Sequence, residues 1–141
     1  MYKAQKGFTL IELVVVIVLL GILGVTALGK FQDLSADAQE AANSGVASEL
    51  SSASSINYAA RVLDPLAPTS VDLSGNGILC ADLVDGTAGS LLAVALPAAK
   101  YLVTGTGNCA GAAGTTFNCD IEEVPAVAAI VNGTAAVICT P

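Results

Sequence analysis

The chain has 141 residues, of which 5 are basic and 12 acidic, giving a formal net charge of −7. This length accommodates one globular domain and an extended helix. The chain contains no histidine, which excludes Ser/His/Asp and Cys/His catalytic constellations and any histidine metal site. Its acidic balance argues against direct nucleic-acid binding, because such binding needs a basic surface.

The N-terminal segment combines a short basic start with a long apolar run. Lys3 and Lys6 precede residues 8–29, and Glu12 is the only charged side chain in that range. As a helix the range would be about 33 Å long, close to the roughly 30 Å core of a bilayer. An ionised carboxylate at that depth is costly unless it has a partner. If the chain were cut between Gly7 and Phe8, the new amine would lie four residues from Glu12 and could be that partner.

The heptapeptide GFTLIEL at residues 7–13 resembles the processing site of type IV pilins. The resemblance implies that a membrane-embedded prepilin peptidase cuts after Gly7 and N-methylates Phe8. It also implies that Glu12 pairs with the Phe8 amine of a neighbouring subunit during assembly. Within the family, residues 13–20 and the Lys30-Phe31 junction most resemble mannose-sensitive haemagglutinin-type pilins.

The resemblance implies an α+β fold, the type IV pilin fold. Its long N-terminal helix, with a protruding apolar half, packs on a small antiparallel β-sheet. The expected parts are a leader (residues 1–7), a membrane and filament-core helix (8–29), the amphipathic half of that helix (30–63) and a disulfide-bonded globular β domain (64–141). Leader removal leaves three basic against twelve acidic side chains, a net charge of −9.

The resemblance also sets expectations for partners and location. The implied product is a homopolymer, a helical filament outside the cell. Its subunits are held in the bacterial inner membrane before assembly and handled there by the prepilin peptidase and the pilus assembly machinery. Neither a cofactor nor an enzymatic activity is expected.

Three alternatives compete with a pilus subunit. A secretory signal peptide would end at a small-residue site near Ala27 or Gly29, but it explains neither Glu12 nor a helix that continues past Lys30. A pseudopilin of type II secretion shares the leader and the apolar helix, but two disulfides and a missing acidic calcium cluster count against it. A single-span anchored enzyme lacks a residue set that could support catalysis.

One helix is predicted from residue 8 to about Leu63, because Asp64-Pro65 disfavours its continuation. Its first half is apolar all round, and its second half has one apolar stripe. The stripe comprises Phe31, Leu34, Ala38, Ala41, Val46, Leu50, Ala53, Ile56 and Ala60. Glycines at positions 21, 24 and 29 weaken the helix; they serve either close helix packing or a local weak point.

The C-terminal half is predicted to form short strands and loops. A loop is predicted for residues 66–77, a strand or turn for 78–84, helical or irregular backbone for 90–99, a strand for 101–104 and a glycine-rich loop up to 116. Strands at 116–121, 127–131 and 134–138 would form a meander. Asn132-Gly133 favours a type I′ turn, although with Thr134 it also matches a glycosylation sequon.

The four cysteines, Cys80, Cys109, Cys119 and Cys139, predict two disulfides in an oxidising compartment. They form no CxxC pair, which argues against zinc. The meander would separate Cys119 from Cys139 by about 9–10 Å, beyond disulfide reach. This favours Cys109–Cys119 with Cys80–Cys139, whereas many pilins pair the last cysteine a short way upstream, as Cys119–Cys139 would.

A weaker signal lies at Asp82 and Asp85-Gly86, which suggest a calcium loop. The full EF-hand pattern is missing, so turn chemistry is the favoured interpretation of these residues.

Overall fold

A computed structural model describes residues 7–110, 112–124 and 133–141, with the backbone alone for residues 32 and 33. This part of the chain contains one α-helix, one 3₁₀ turn and five strands. They are α1 (Leu10–Leu63), β1 (Asn76–Leu79), the 3₁₀ turn (Cys80–Leu83), β2 (Tyr101–Thr104), β3 (Thr106–Asn108), β4 (Thr116–Glu123) and β5 (Gly133–Ile138). The layout is α+β, as predicted. The chain divides into two units, with the boundary between residues 36 and 37.

Helix α1 ends where the sequence predicts. Its last residue is Leu63, and Pro65 disfavours helical backbone in the residue before it. The Asp64 carboxylate accepts a hydrogen bond from the Leu66 N–H at 3.0 Å. Arg61 donates from its guanidinium to the Pro65 carbonyl. The Asp64 N–H donates to the Ala60 carbonyl at 2.9 Å, and these bonds together fix the turn that follows the helix.

The buried face of the helix in the second unit is narrower and more polar than the predicted stripe. It comprises Asn43, Ala47, Leu50, Ser54 and Asn57, at alternating spacings of four and three. By contrast, Ile56 of the predicted stripe is 72% exposed. The predicted stripe is confirmed at Leu50 and at Val46 and Ala53, which are half-buried against the core. It omitted Asn43, Ser54 and Asn57 because they are polar.

These small residues let strand β5 lie against the helix. The Ala136 N–H donates to Ser51 Oγ at 3.0 Å, and the Ile138 N–H donates to Ser54 Oγ at 2.7 Å. A Cβ on Gly133 would stand 2.3 Å from the backbone oxygen of Asn43. Strand β5 is at one edge of its sheet, and helix α1 satisfies N–H groups that a free edge would expose.

The strands form two antiparallel sheets, one of order β1-β3 and one of order β2-β4-β5. Strands β4 and β5 are direct neighbours, with Thr116 opposite Ile138 and Cys119 opposite Ala135. The predicted meander, which placed another strand between them, is therefore wrong. The glycine-rich loop prediction is also wrong in part, because β3 lies within it.

The predicted type I′ turn at Asn132-Gly133 is wrong as well. Gly133 is a strand residue opposite Ile121, and its φ lies outside the left-handed region that such a turn requires. Asn132 and the predicted strand at residues 127–131 lie outside the described residues. A glycine is needed at 133 because of its close approach to the helix backbone.

Both disulfides form, but the favoured pairing is wrong. Cys80 is bonded to Cys119, and Cys109 to Cys139, with Cα atoms 5.6 Å and 5.4 Å apart. The predicted Cys109–Cys119 and Cys80–Cys139 bonds rested on the wrong strand order. The Cys119–Cys139 alternative fails too, because Cys139 lies four residues past the partner of Cys119, about 13 Å along the strand.

The interior of the second unit is built around the two sheets and the disulfides. Its largest fully buried apolar side chains are Leu50, Leu73, Ile121 and Val137. The Phe117 ring covers the backbone of Gly107, where a Cβ would stand 2.5 Å from the ring. This contact places strand β4 of the larger sheet against strand β3 of the smaller one.

Candidate functional site

The start of helix α1 is held by a reciprocal pair of side chains. Thr9 precedes the first helical residue, Leu10, and its carbonyl accepts the first helical bond, from Leu13, at 3.3 Å. The Glu12 N–H donates to Thr9 Oγ1 at 3.3 Å. In return, Glu12 Oε2 accepts from the Thr9 N–H and the Thr9 hydroxyl, each at 3.3 Å. This is a capping box, the arrangement that satisfies free N–H groups at a helix start.

The capping box shows what sequence reasoning missed at this site. A lone acid in an apolar run indicates a charge that needs a cation, and that requirement alone does not locate the helix start. The pattern Thr9-x-x-Glu12 before an apolar run is itself a signal for a helix start, and it would have placed the first helical residue at Leu10. Glu12 also stabilises the helix start by its charge, because a carboxylate is favoured in the first turn.

The predicted cleavage bond lies just outside this helix. Gly7, Phe8 and Thr9 are not helical, and all three are exposed, Phe8 to 87%. A peptidase needs an extended segment in its site, and Gly7-Phe8 is already free of helical hydrogen bonds. The geometry therefore suits cleavage at this bond, although the cleavage and the methylation of Phe8 stay predictions.

Beyond Glu12 the helix presents large apolar side chains to its surroundings. Between Leu13 and Leu28 every valine, leucine and isoleucine is at least 43% exposed within the subunit. By length and composition, helix α1 could cross a membrane, and it is the only such helix among the described residues. The Thr26 hydroxyl donates to the Leu23 carbonyl at 3.0 Å and to the Ile22 carbonyl at 3.3 Å. The polar group in mid-helix is therefore satisfied within the helix.

The three glycines of this segment are unconstrained by the rest of the chain. A Cβ at Gly21, Gly24 or Gly29 would meet nothing within 4 Å, and α1 continues through all three positions. The subunit alone therefore gives no packing reason for them. Both interpretations, close approach of another helix and a local weak point, stay predictions.

The other predicted sites lie in the second unit and carry no reactive chemistry. All four cysteines are in disulfides. Asp85 accepts from the Thr87 N–H at 2.9 Å and from the Thr87 hydroxyl, which is turn chemistry. These bonds, the backbone one first, lower the pKa of Asp85. The described ranges contain no group of three or more Cys, Asp or Glu side chains placed to hold a metal ion.

The comparisons with known proteins concern the N-terminal region. Residues 2–28 match the family model described as the prokaryotic N-terminal methylation motif. A fimbrial protein of Pseudomonas aeruginosa is 54% identical over 37 residues, and one of Moraxella nonliquefaciens is 60% identical over 37 residues. The fimbrial protein EcpB of Eikenella corrodens is 62% identical over 39 residues. These matches confirm the resemblance to type IV pilins.

The matches cover a limited part of each protein. They span 26–28% of this chain and 24% of the length of each relative. No solved structure matches the chain. The resemblance to pilins thus rests on the N-terminal motif and these short matches, together with an α+β layout consistent with the pilin fold.

Proposed function

We propose that this chain is the structural subunit of an extracellular type IV pilus, and not an enzyme. The observation that carries the proposal is the N-terminal arrangement: an exposed Gly7-Phe8 bond, a helix start capped by Thr9 and Glu12, and an apolar helix after it. Each part has a use in a filament made from membrane-held subunits. The match of residues 2–28 to the methylation motif supports the proposal of a pilus subunit.

In the proposed mechanism, the prepilin peptidase removes residues 1–7 and methylates the new amine of Phe8. The apolar helix at residues 8–29 holds the subunit in the bacterial inner membrane until the pilus machinery moves it into the filament. There its exposed apolar side chains pack against the same segments of other subunits, while residues 30–63 continue the helix into the disulfide-bonded domain at 64–141.

Glu12 sets the register between subunits in this mechanism. Glu12 lies four residues inside the apolar segment, and an ionised carboxylate in the apolar layer costs free energy unless it is paired. The Phe8 amine of a neighbouring subunit offsets this cost only when the two helices are aligned. A subunit in another register leaves both charges unpaired in an apolar surrounding, where breaking a buried pair is strongly unfavourable.

The alternative within the same class is a pseudopilin of a type II secretion system, which would use the same leader and helix. Two disulfides, Cys80–Cys119 and Cys109–Cys139, favour the pilus subunit, since a filament outside the cell must withstand an oxidising, unprotected environment. An acidic calcium cluster would favour the pseudopilin, and the described residues around the turn at Asp85 form no such cluster.

The direct test is the mass of the subunit in filaments that are sheared from cells expressing the chain. The expected subunit contains residues 8–141 with one added methyl group and four hydrogens fewer for two disulfides. Electron microscopy of the same cells should show surface filaments. A mature N-terminus near Gly29 would overturn the proposal in favour of a signal peptide, and a correctly processed subunit without surface filaments would favour the pseudopilin.

A further inference from the structure

Strand β2 forms the other edge of the larger sheet. The order β2-β4-β5 leaves one side of β2 without a neighbouring strand. At the start of the pair, the Val124 N–H donates to the Lys100 carbonyl at 2.8 Å, and these two residues continue the register of β2 and β4. Because bonded and non-bonded pairs alternate along an antiparallel ladder, Tyr101 and Val103 direct their N–H and C=O groups away from β4.

The chain covers this edge at both ends and leaves its middle unpaired. The Tyr101 N–H donates to the Pro97 carbonyl at 3.0 Å, and the Gly105 carbonyl accepts from the Cys80 N–H at 3.2 Å. Between these bonds, no described residue pairs with the Tyr101 C=O or with the N–H and C=O of Val103. This β2 opening, from Tyr101 to Gly105, spans about 13 Å. Val103 is only 8% exposed, and a buried backbone group without a partner is unfavourable.

A groove of about 190 Å³ adjoins the unpaired groups and includes Tyr101 and Val103 in its wall. Most of the remaining wall is apolar and comes from the segment after the 3₁₀ turn, the loop before β2 and β2 itself. It comprises Ala81, Val84, Leu96, Ala98 and Leu102. The groove thus combines a main-chain donor and acceptors with an apolar surface, the combination that binds extended peptides at sheet edges.

The charges near the groove are mainly negative. Asp85 lies in its wall, Asp82 is exposed in the adjoining 3₁₀ turn, and Glu122 stands opposite Leu102 on β4. Lys100 adds one positive charge, with its amine 5.2 Å from the centre of the Tyr101 ring. This balance favours a basic partner, and it disfavours a second copy of the chain, which carries a net negative charge.

We propose that the β2 opening binds an extended, basic segment of another protein. The segment bonds the N–H and C=O of Val103 and the C=O of Tyr101 through its own backbone, and it places one apolar side chain in the groove. Its basic side chains lie near Asp85 and Asp82. The site belongs to the second unit alone, so it does not depend on whether the chain forms filaments.

The test uses a capped pentapeptide with a central valine between two lysines and a serine at each end. It is added to the full-length, ¹⁵N-labelled chain in zwitterionic detergent micelles, and binding is followed by NMR. One matched peptide is methylated on its backbone nitrogens, and another has glutamate in place of lysine. Ala98→Phe fills the groove from an exposed position, and Ala99→Phe is the matched control, exposed but outside the wall.

At saturating peptide we expect hydrogen exchange of the Val103 amide to slow roughly tenfold, the usual effect of one added hydrogen bond. The methylated and glutamate peptides should bind at least about tenfold more weakly. Ala98→Phe should abolish binding, whereas Ala99→Phe should keep it. Unchanged exchange at Val103 would overturn the proposal, as would equal binding by the methylated peptide or by both phenylalanine variants. Equal binding by the glutamate peptide would overturn the basic character of the partner.

A further variant covers the case in which Ala98→Phe does not fold. Asp85→Asn keeps an oxygen for the bonds from Thr87 and removes only the charge. It should weaken binding of the lysine peptide about threefold, as expected for an exposed ion pair, with no change in the disulfides on a non-reducing peptide map. Unchanged affinity for the lysine peptide would reject the contact with Asp85.

Discussion

The two halves of helix α1 have the same helical backbone but surfaces of different chemistry. Up to residue 36 the helix exposes large apolar side chains, among them Leu23 at 62% and Leu28 at 66%. In the second unit it buries Leu50 among small or polar side chains, such as Ala47 and Ser54. The comparison teaches that the large apolar side chains of the first half stay exposed in the subunit, whereas the surface packed within the second unit combines Leu50 with small side chains and serine hydroxyls that accept hydrogen bonds from β5.

Helix α1 and strand β5 fit together because the stretches that contact each other have the same length. Along the helix, the contacts with β5 run from Asn43 to Ser54, about 16 Å at 1.5 Å per residue. Along β5 they run from Gly133 to Ile138, also about 16 Å at 3.3 Å per residue. The strand can therefore lie against the helix, with the N–H groups of Ala136 and Ile138 bonded to serine oxygens.

The largest expected effect comes from substitutions of Glu12, which change the N-terminal half of the helix and leave the packing within the second unit intact. Glu12→Ala and Glu12→Gln should abolish or strongly reduce filaments, because the Phe8 amine of the neighbouring subunit loses its partner. Both variants should still be inserted in the membrane, mainly cleaved, and folded in the disulfide-bonded unit. Sheared filament yield, subunit mass and non-reducing gels measure these outcomes. Glu12→Asp should be intermediate, and abundant normal filaments from Glu12→Ala would leave Glu12 without a register role.

The next effect concerns the disulfides of the second unit. Replacing Cys80 and Cys119 together by serine should lower the free energy of unfolding by about 4 kcal/mol, the value expected for a closed loop of this length. The sequence separations are 39 for this bond and 30 for Cys109–Cys139, so the second pair should cost nearly as much. Urea unfolding of the full chain in detergent micelles measures both. Non-reducing peptide maps that link Cys109 to Cys119 would contradict the strand order.

Gly133→Ala sharpens the comparison at the closest approach of strand and helix. The new Cβ would lie 2.3 Å from the oxygen and 2.6 Å from the carbonyl carbon of Asn43, and backbone atoms cannot move away cheaply. We expect a loss of about 3 kcal/mol in unfolding free energy. The control is Gly45→Ala on the same helix, where nothing lies within 4 Å and about 1 kcal/mol should be gained. Equal effects of the two changes would show that the close contact is not formed.

Ser54→Ala tests the hydrogen bonds between helix and strand. The half-buried Ile138 N–H would lose its acceptor at 2.7 Å, at a cost of about 1–3 kcal/mol. Ser55→Ala is the matched control, because the exposed Ser55 hydroxyl bonds only the Ser51 carbonyl of its own helix. Its unfolding free energy should change by less than about 0.5 kcal/mol. Amide hydrogen exchange at Ile138 should speed up in Ser54→Ala alone.

The smallest expected effect is a pH dependence at the end of the helix. The Ser74 hydroxyl, the Ser74 N–H and the charge of Arg61 lower the pKa of Asp72 from its ordinary value of 3.8. A lowered pKa in the folded state means that the stabilisation is present above that ordinary value and is lost as pH falls through the folded value. Asp72→Asn should therefore destabilise the chain near neutral pH by less than about 1 kcal/mol, since its side chain is 61% exposed. Thermal unfolding of the two chains should converge in strong acid, and a gap that persists there would assign the effect to another cause.

The sequence by itself determined the features that depend on neighbouring residues along the chain. The apolar run, the lone Glu12 and the glycine before Phe8 indicated a pilin N-terminus, and Asp64-Pro65 fixed the helix end at Leu63. Strands β2 and β4 were also predictable, because alternation and turn residues act over a few positions. The capping box at Thr9 and Glu12 was present in the pattern and was overlooked.

Only the tertiary structure decided the features that depend on contacts between distant segments. The disulfide pairing follows from β4 and β5 being direct neighbours, and strand order is not encoded in local propensity. The buried polar residues Ser54 and Asn57 depart from the apolar pattern, because their side chains bond the backbone of Ile138 and Val71, which lie far along the chain. Asn132-Gly133 has the local pattern of a turn, but Gly133 lies in strand β5. Glycine is needed there because a Cβ would clash with the Asn43 backbone, which lies far along the chain.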